Sequence, residues 1–233
     1  MRIQVTNTFP SSVMKIGFVI IILNNIGWLM VLMLGIFVSG SYIGTPYESS
    51  FTPIWFLMTN LCLLSDIIGF FILGMSLMLL KQSTEGSGEN QSLLFAGGSF
   101  LAWSVLAILW RFLGPLTLGY PIVGSSGTAI NLNITDDLLL AMIFLINGIV
   151  MFFGTYFLSK MFDTKLLVAY GILNLTGVIA FISPMGNIEN QTFISIFFLG
   201  AFGFFSKVLL TPCFGILTFT RIWNILRSYL ATQ

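Results

Sequence analysis

Six long runs of apolar residues, separated by stretches rich in Gly, Pro, Ser and Asn, make up almost the whole of this chain. They cover residues 16–39, 53–80, 93–113, 138–158, 166–182 and 193–219. Each run is continuous, without the alternation of a strand that faces lipid on one side, so helices are expected and a β-barrel is not. A helix needs roughly 20 apolar residues to cross a hydrocarbon core, and about 17 is the lower limit. Only 166–182 falls near that limit. The pattern predicts an all-α, polytopic integral membrane helix bundle of six transmembrane helices, forming a single domain over 1–233. Beyond 219 the pattern changes. Ile222, Ile225, Leu226 and Tyr229 fall on one helical face, and Arg221, Asn224, Arg227 and Ser228 on the other. Residues 220–230 therefore read as a short amphipathic tail at the membrane interface, anchored by Trp223 and the arginines.

Charge sharpens this picture. The 233 residues include nine basic and eight acidic ones, where a soluble domain of that length carries about a quarter charged residues. Lipid is thus the expected solvent, and the expected partners are the bilayer, further membrane subunits or a second copy of the chain. A net charge of +1 offers no electrostatic footprint for nucleic acid. The first apolar run exceeds the 7–15 residues of a secretory signal core, and no small-residue cleavage pattern follows it, so it reads as a retained span. Arg2, Lys15, Lys81, Lys160, Lys165, Arg221 and Arg227 fall on one side of a six-span topology, and Arg111 alone on the other. By the positive-inside rule both termini are expected in the cytoplasm, with the chain in the cell membrane. Arg111 reads as a snorkelling residue, with a gate pairing to Asp136 or Asp137 as the alternative. Those two aspartates, after Thr135, read as a capped helix start, with an external cation site as the alternative.

Much chemistry is excluded. The chain has no histidine, and Cys62 and Cys213 both lie inside apolar runs. Histidine-ligated haem, Cys/His zinc sites and Ser-His-Asp triads are therefore not expected. No phosphate-binding or dinucleotide glycine motif and no Gly-x-Ser-x-Gly elbow is present. The reading assigns no catalytic residue, no metal and no cofactor, and an enzyme is not expected.

Two charges lie deep in apolar runs: Asp66 in the second and Lys207 in the sixth. A charge at the bilayer centre costs about 2.5–3.5 kcal/mol on insertion scales, so each is expected to face the bundle interior and find a partner. At 1.5 Å per residue both sit about 21–22 Å from an inner basic anchor, Lys81 or Arg221, and an ion pair between them is expected. Thr59, Cys62, Asp66, Gly69 and Ser76 share one helical stripe; Gly200, Gly203, Lys207, Thr211 and Thr218 share another. Pro212 is expected to kink the sixth span, because it removes a backbone hydrogen bond. Asn24, Asn25, Asn147 and Asn174 fall at similar depth and suggest a polar layer near the midplane.

Two functions fit. In the first, the pair and the amides only hold the bundle together, and the protein is a non-catalytic structural or accessory subunit of a membrane complex. In the second, the layer is the site of a small proton- or ion-coupled solute carrier, since carriers bind near the midplane. The first is preferred from sequence, because the halves show no convincing internal repeat and only the sixth span is clearly broken.

The stretch 147–181 carries a Gly-x3-Phe run, a short basic turn at Ser159 and Lys160, and a Leu-x3-Gly start at Leu167 and Gly171. It resembles the fourth-to-fifth helix hairpin of a family of small six-helix prokaryotic membrane proteins of unknown function. The resemblance implies size and topology, and assigns no activity and no residues.

Overall fold

Continuous apolar sequence in lipid leaves the backbone no partner but itself, and helices are how this chain resolves that demand. The computed structural model describes residues 8–42, 48–83, 89–117, 134–182 and 209–231. These form α1 (Thr8–Tyr42), α2 (Glu48–Ser83), α3 (Glu89–Thr117), α4 (Ile134–Phe162), α5 (Lys165–Ile182) and α6 (Thr211–Ala231). Helices α1 to α4 extend past both ends of the apolar runs that predict them, because helical hydrogen bonding continues into the polar flanks. Thr135, Asp136 and Asp137 consequently fall inside the first turn of α4. The first part of the expected sixth span, 193–208, lies outside the described residues. Its last part continues through 219 to Ala231 as one helix.

Among the described residues, four stretches are long and apolar enough to cross a membrane: Ser12–Leu34, Asn60–Leu80, Gln91–Leu109 and Leu145–Phe162. The apolar part of α5, Lys165–Ile179, is shorter. The outward faces are apolar as well. Leu23, Met33, Leu57 and Leu217 are 61%, 68%, 59% and 60% exposed. Side chains of this kind on the outside of a bundle have lipid as their natural solvent. The chain is a helical bundle of membrane-spanning character.

Each helix packs on the next in sequence, and α6 returns to pack on α1, so the six close into a ring. The registers show that neighbours run antiparallel. Gly17 meets Gly69 and Leu73, while Gly27 meets Cys62, across α1 and α2. Gly74 meets Gly97 while Ser104 Oγ donates to the Ile67 carbonyl at 3.3 Å across α2 and α3. Phe18 lies beside Phe219, with tilted rings, while Asn25 meets Gly215 across α1 and α6. The start of α1 and the end of α6 therefore lie at the same end of the ring. Lys15, Lys160, Lys165, Arg221 and Arg227 lie toward that end too.

A close backbone crossing lies between α2 and α3. A Cβ on Gly74 would sit 2.9 Å from the Gly97 carbonyl oxygen, and one on Gly97 would sit 2.9 Å from the Gly74 carbonyl oxygen. Backbone meets backbone here, as in small-residue contacts between membrane helices. Gly98 faces open space.

A two-residue turn joins α4 to α5. Asp163 takes the left-handed conformation, with φ 47°, and Thr164 N–H donates to the Ser159 carbonyl at 3.2 Å. That is the bonding of a Schellman C-cap, with an aspartate where glycine is commoner. Ser159 and Lys160, expected in the turn itself, belong to the last turn of α4. There Lys160 Nζ lies 4.6 Å from the centre of the Tyr156 ring.

The core at the basic end of the ring is aromatic. Phe70 lies 5.3 Å from Phe100, 4.9 Å from Trp103 and 6.2 Å from Phe219, centre to centre. Phe219 in turn lies 5.4 Å from Tyr170 and 5.8 Å from Phe18. Five helices thus contribute to one aromatic cluster, which closes the ring below its centre.

Candidate functional site

Above that cluster the described residues leave a gap. A cavity of about 210 Å³ lies on the axis of the ring, and all six helices contribute to its wall. Asn25 and Trp28 come from α1; Leu63, Asp66 and Phe70 from α2; Trp103 and Ala107 from α3; Ile143 and Asn147 from α4. Tyr170, Asn174 and Val178 come from α5, and Thr211 and Pro212 from α6. Asn25 and Trp103 are the central residues of α1 and α3, and Asp66, Asn147 and Asn174 lie within a residue or so of the middles of their helices. The cavity therefore occupies the mid-height of the ring.

Its polar groups are held from neighbouring elements. The Trp28 indole Nε1–H donates to Asp66 Oδ2 at 2.9 Å, joining α1 to α2 beside the cavity. The small stripe that carries Asp66 makes this approach possible, since Cys62 packs on Gly27, and Gly69 on Ile20 and Ile21, both across α1. Asn147 Nδ2 donates to the Trp103 carbonyl at 3.3 Å, joining α4 to α3. Asn25 Nδ2 donates to the Ile21 carbonyl at 2.7 Å within its own helix, and its amide rests against Gly215, where any side chain would overlap it. Tyr170 and Asn174, one turn apart on α5, share a side-chain hydrogen bond. The Trp103 Nε1–H is buried and meets no hydrogen-bond partner among the described residues.

The structure thus brings Asp66, Asn25, Asn147 and Asn174 to one place. Asn24 is equally buried but is not in the cavity wall, and its Nδ2 has no partner among the described residues. It shares the α2-facing side of α1 with Gly17 and Gly27. Lys207 lies outside the described residues, and so does the part of the sixth span that would show a kink. Pro212 is the second residue of α6, and Leu209 and Leu210, directly before α6, are already wound as a π-turn. Among the described residues no three His, Cys, Asp or Glu side chains come together.

Sequence reasoning passed over Trp28, Trp103 and Tyr170. A signal existed for the tryptophans. Trp in membrane helices concentrates at the interfaces, and these two lie deep in apolar runs, so their depth marks them as inward-facing. Tyr170 had only its spacing of four from Asn174. Comparison with protein-family models, with curated proteins and with solved structures returned no match to this chain.

Proposed function

We propose that this chain is a six-span integral membrane protein whose central cavity binds and carries a small solute, coupled to proton or ion movement through Asp66 and Lys207. The cavity carries this reading. A mostly apolar wall with a few convergent polar groups is the usual form of a ligand site. This favours the carrier over the accessory subunit that the sequence alone prefers.

Depth supports it as well. Ten residues of α1 separate Asn25 from Lys15, about 15 Å of helix, or half of a 30 Å hydrocarbon core. With Lys15 at the inner surface, the cavity lies at the midplane, where carriers bind. Both termini are then cytoplasmic in the cell membrane, and the aromatic cluster of Phe70 and Phe219 closes the cavity toward the cytoplasm. Single cysteines at Thr8 and Ser125 are expected to react with an impermeant thiol reagent from opposite sides of intact cells. Labelling from the same side would overturn this topology.

Uptake tests the function. Proteoliposomes loaded with a pH-sensitive dye are expected to acidify when a transported member of a panel of small solutes is added outside. Ala107 is buried in the cavity wall. Ala107→Phe is expected to fill the cavity and abolish that signal at undiminished folded yield. A panel without any response, or a variant that responds like the unchanged protein, removes the carrier reading. An accessory subunit would instead come out of native membranes in fixed ratio with another chain.

A further inference from the structure

We propose that the outer face of α6 holds an anionic phospholipid, with Thr220, Arg221 and Asn224 gripping its phosphate and Leu217 lying along its acyl chains. The site is separate from the central cavity and rests only on the membrane-spanning character of the bundle. Depth places it. Thr211 and Pro212 line the cavity at mid-height of the ring, and Arg221 follows Thr211 by ten residues of α6. At 1.5 Å per residue that is about 15 Å, half of a 30 Å hydrocarbon core. Arg221 therefore stands where acyl chains give way to headgroups. Lys15 of α1 stands near the same level, because Phe18 lies beside Phe219 and the two helices run antiparallel. Leu217, one turn deeper than Arg221, is 60% exposed, and Arg221 and Asn224 are exposed as well. One face of α6 thus passes from a lipid-facing leucine to polar side chains at the boundary.

Chemistry names the occupant. A shallow hollow runs along this face, and its described lining is Ile216, Leu217, Thr220, Arg221, Asn224 and Ile225. Spacings of three and four bring Leu217, Thr220, Arg221 and Asn224 together on one side of the helix. Thr220, Arg221 and Asn224 make no hydrogen bond or ion pair among the described residues. A forked guanidinium, an amide and a hydroxyl all donate, and a phosphate diester offers several acceptor oxygens to them. Charge is sorted along the ring as well. The described helices and the α4–α5 turn carry Lys15, Lys81, Lys160, Lys165, Arg221 and Arg227 toward this end, against Glu89 and Asp163. They carry Glu48, Asp136 and Asp137 toward the other end, against Arg111. A headgroup of net negative charge complements the basic end, whereas a zwitterionic one brings a cation into a layer that is already basic. The apolar edge of the hollow at Ile216 and Leu217 gives acyl chains a surface that free phosphate would leave unused.

Native mass spectrometry of the full chain in detergent tests this, with phosphatidylglycerol and phosphatidylcholine of identical acyl chains titrated separately. Phosphatidylglycerol is expected to bind about fivefold tighter or more. Arg221→Gln is expected to weaken phosphatidylglycerol about fivefold, the worth of one basic residue at a membrane surface. Asn224→Leu changes no charge and is expected to weaken it by a similar factor through the lost hydrogen bond. Lys165→Gln removes the same charge as Arg221→Gln from an exposed position at the same end, on α5, and is expected to change the affinity less than twofold. All three positions are exposed, and an unchanged melting temperature in lipid-free detergent shows that each variant is folded. Equal affinity for the two lipids overturns the anionic class. Equal losses in Arg221→Gln and Lys165→Gln, with none in Asn224→Leu, mean diffuse attraction and overturn the site on α6. Glycerophosphoglycerol, the headgroup without its chains, is expected not to compete at matched concentration, and competition equal to that of the lipid overturns a lipid as the occupant.

Discussion

Gly97→Leu is expected to prevent the bundle from assembling, while Gly98→Ala, one residue away, is expected to leave it intact. At Gly97 a Cβ would stand 2.9 Å from a backbone carbonyl oxygen of α2, and Gly74 stands in the same relation to α3. Carbonyls of packed helices do not move aside as side-chain tips do. The helices must separate, and Ser104 would then lose its bond to Ile67 and Phe70 its contacts with Phe100 and Trp103. Overpacking typically costs about 1–3 kcal/mol, and backbone against backbone belongs at or above the top of that range. At Gly98 nothing lies within 4 Å, and alanine is the better helix former by about 1 kcal/mol. Thermal unfolding in detergent and the fraction eluting as a single folded species measure both variants. A well-folded Gly97→Leu protein with an unchanged melting temperature would disprove the close crossing.

The second large effect is expected at the Trp28–Asp66 hydrogen bond. Trp28→Phe keeps the ring and removes the donor, and a hydrogen bond to a charged group is worth about 1.5–3 kcal/mol. Asp66→Leu is expected to cost a similar amount, about 1–3 kcal/mol, because it leaves the Trp28 N–H without its acceptor, and to add the loss of the further interaction that Asp66 makes. The double variant is expected to be less destabilised than the sum of the single ones by about 1 kcal/mol or more, as for groups in contact. Strictly additive costs would mean that the bond does not couple α1 to α2. In proteoliposomes Asp66→Leu is also expected to end coupled uptake, while Trp28→Phe is expected to retain part of it, since the carboxylate remains.

Much of the fold was legible because lipid imposes strong rules on sequence. The apolar runs marked the helices, and the short run at 166–182 marked the shortest of the first five. The site was legible in part, and for a reason that particular residues make plain. Asp66, Asn25, Asn147 and Asn174 are polar where polarity is costly, so sequence alone singles them out. Asn24 met the same criterion, yet the structure leaves it out of the cavity wall, because neighbouring positions on a helix point about 100° apart and only packing decides which one faces the centre. Trp103 had the opposite difficulty. It is an amphipathic residue in an apolar run, and hydrophobicity by itself does not distinguish a packed indole from one that lines a cavity. The apolar side of 220–230 had two surfaces available to it, lipid or protein. The structure shows Ile222 and Leu226 buried in the bundle core.

What the sequence determined by itself is that this chain forms helices of membrane-spanning character with a few polar groups at middle depth. Composition and run length suffice for that, since they act through each residue's own transfer between water and lipid. Only the tertiary structure decided that the helices close into an antiparallel ring, that Gly74 and Gly97 meet backbone to backbone, and that the polar groups surround a cavity instead of a packed centre. Those outcomes depend on which surfaces meet across long separations in the chain, and a transfer energy counted residue by residue carries no term for them.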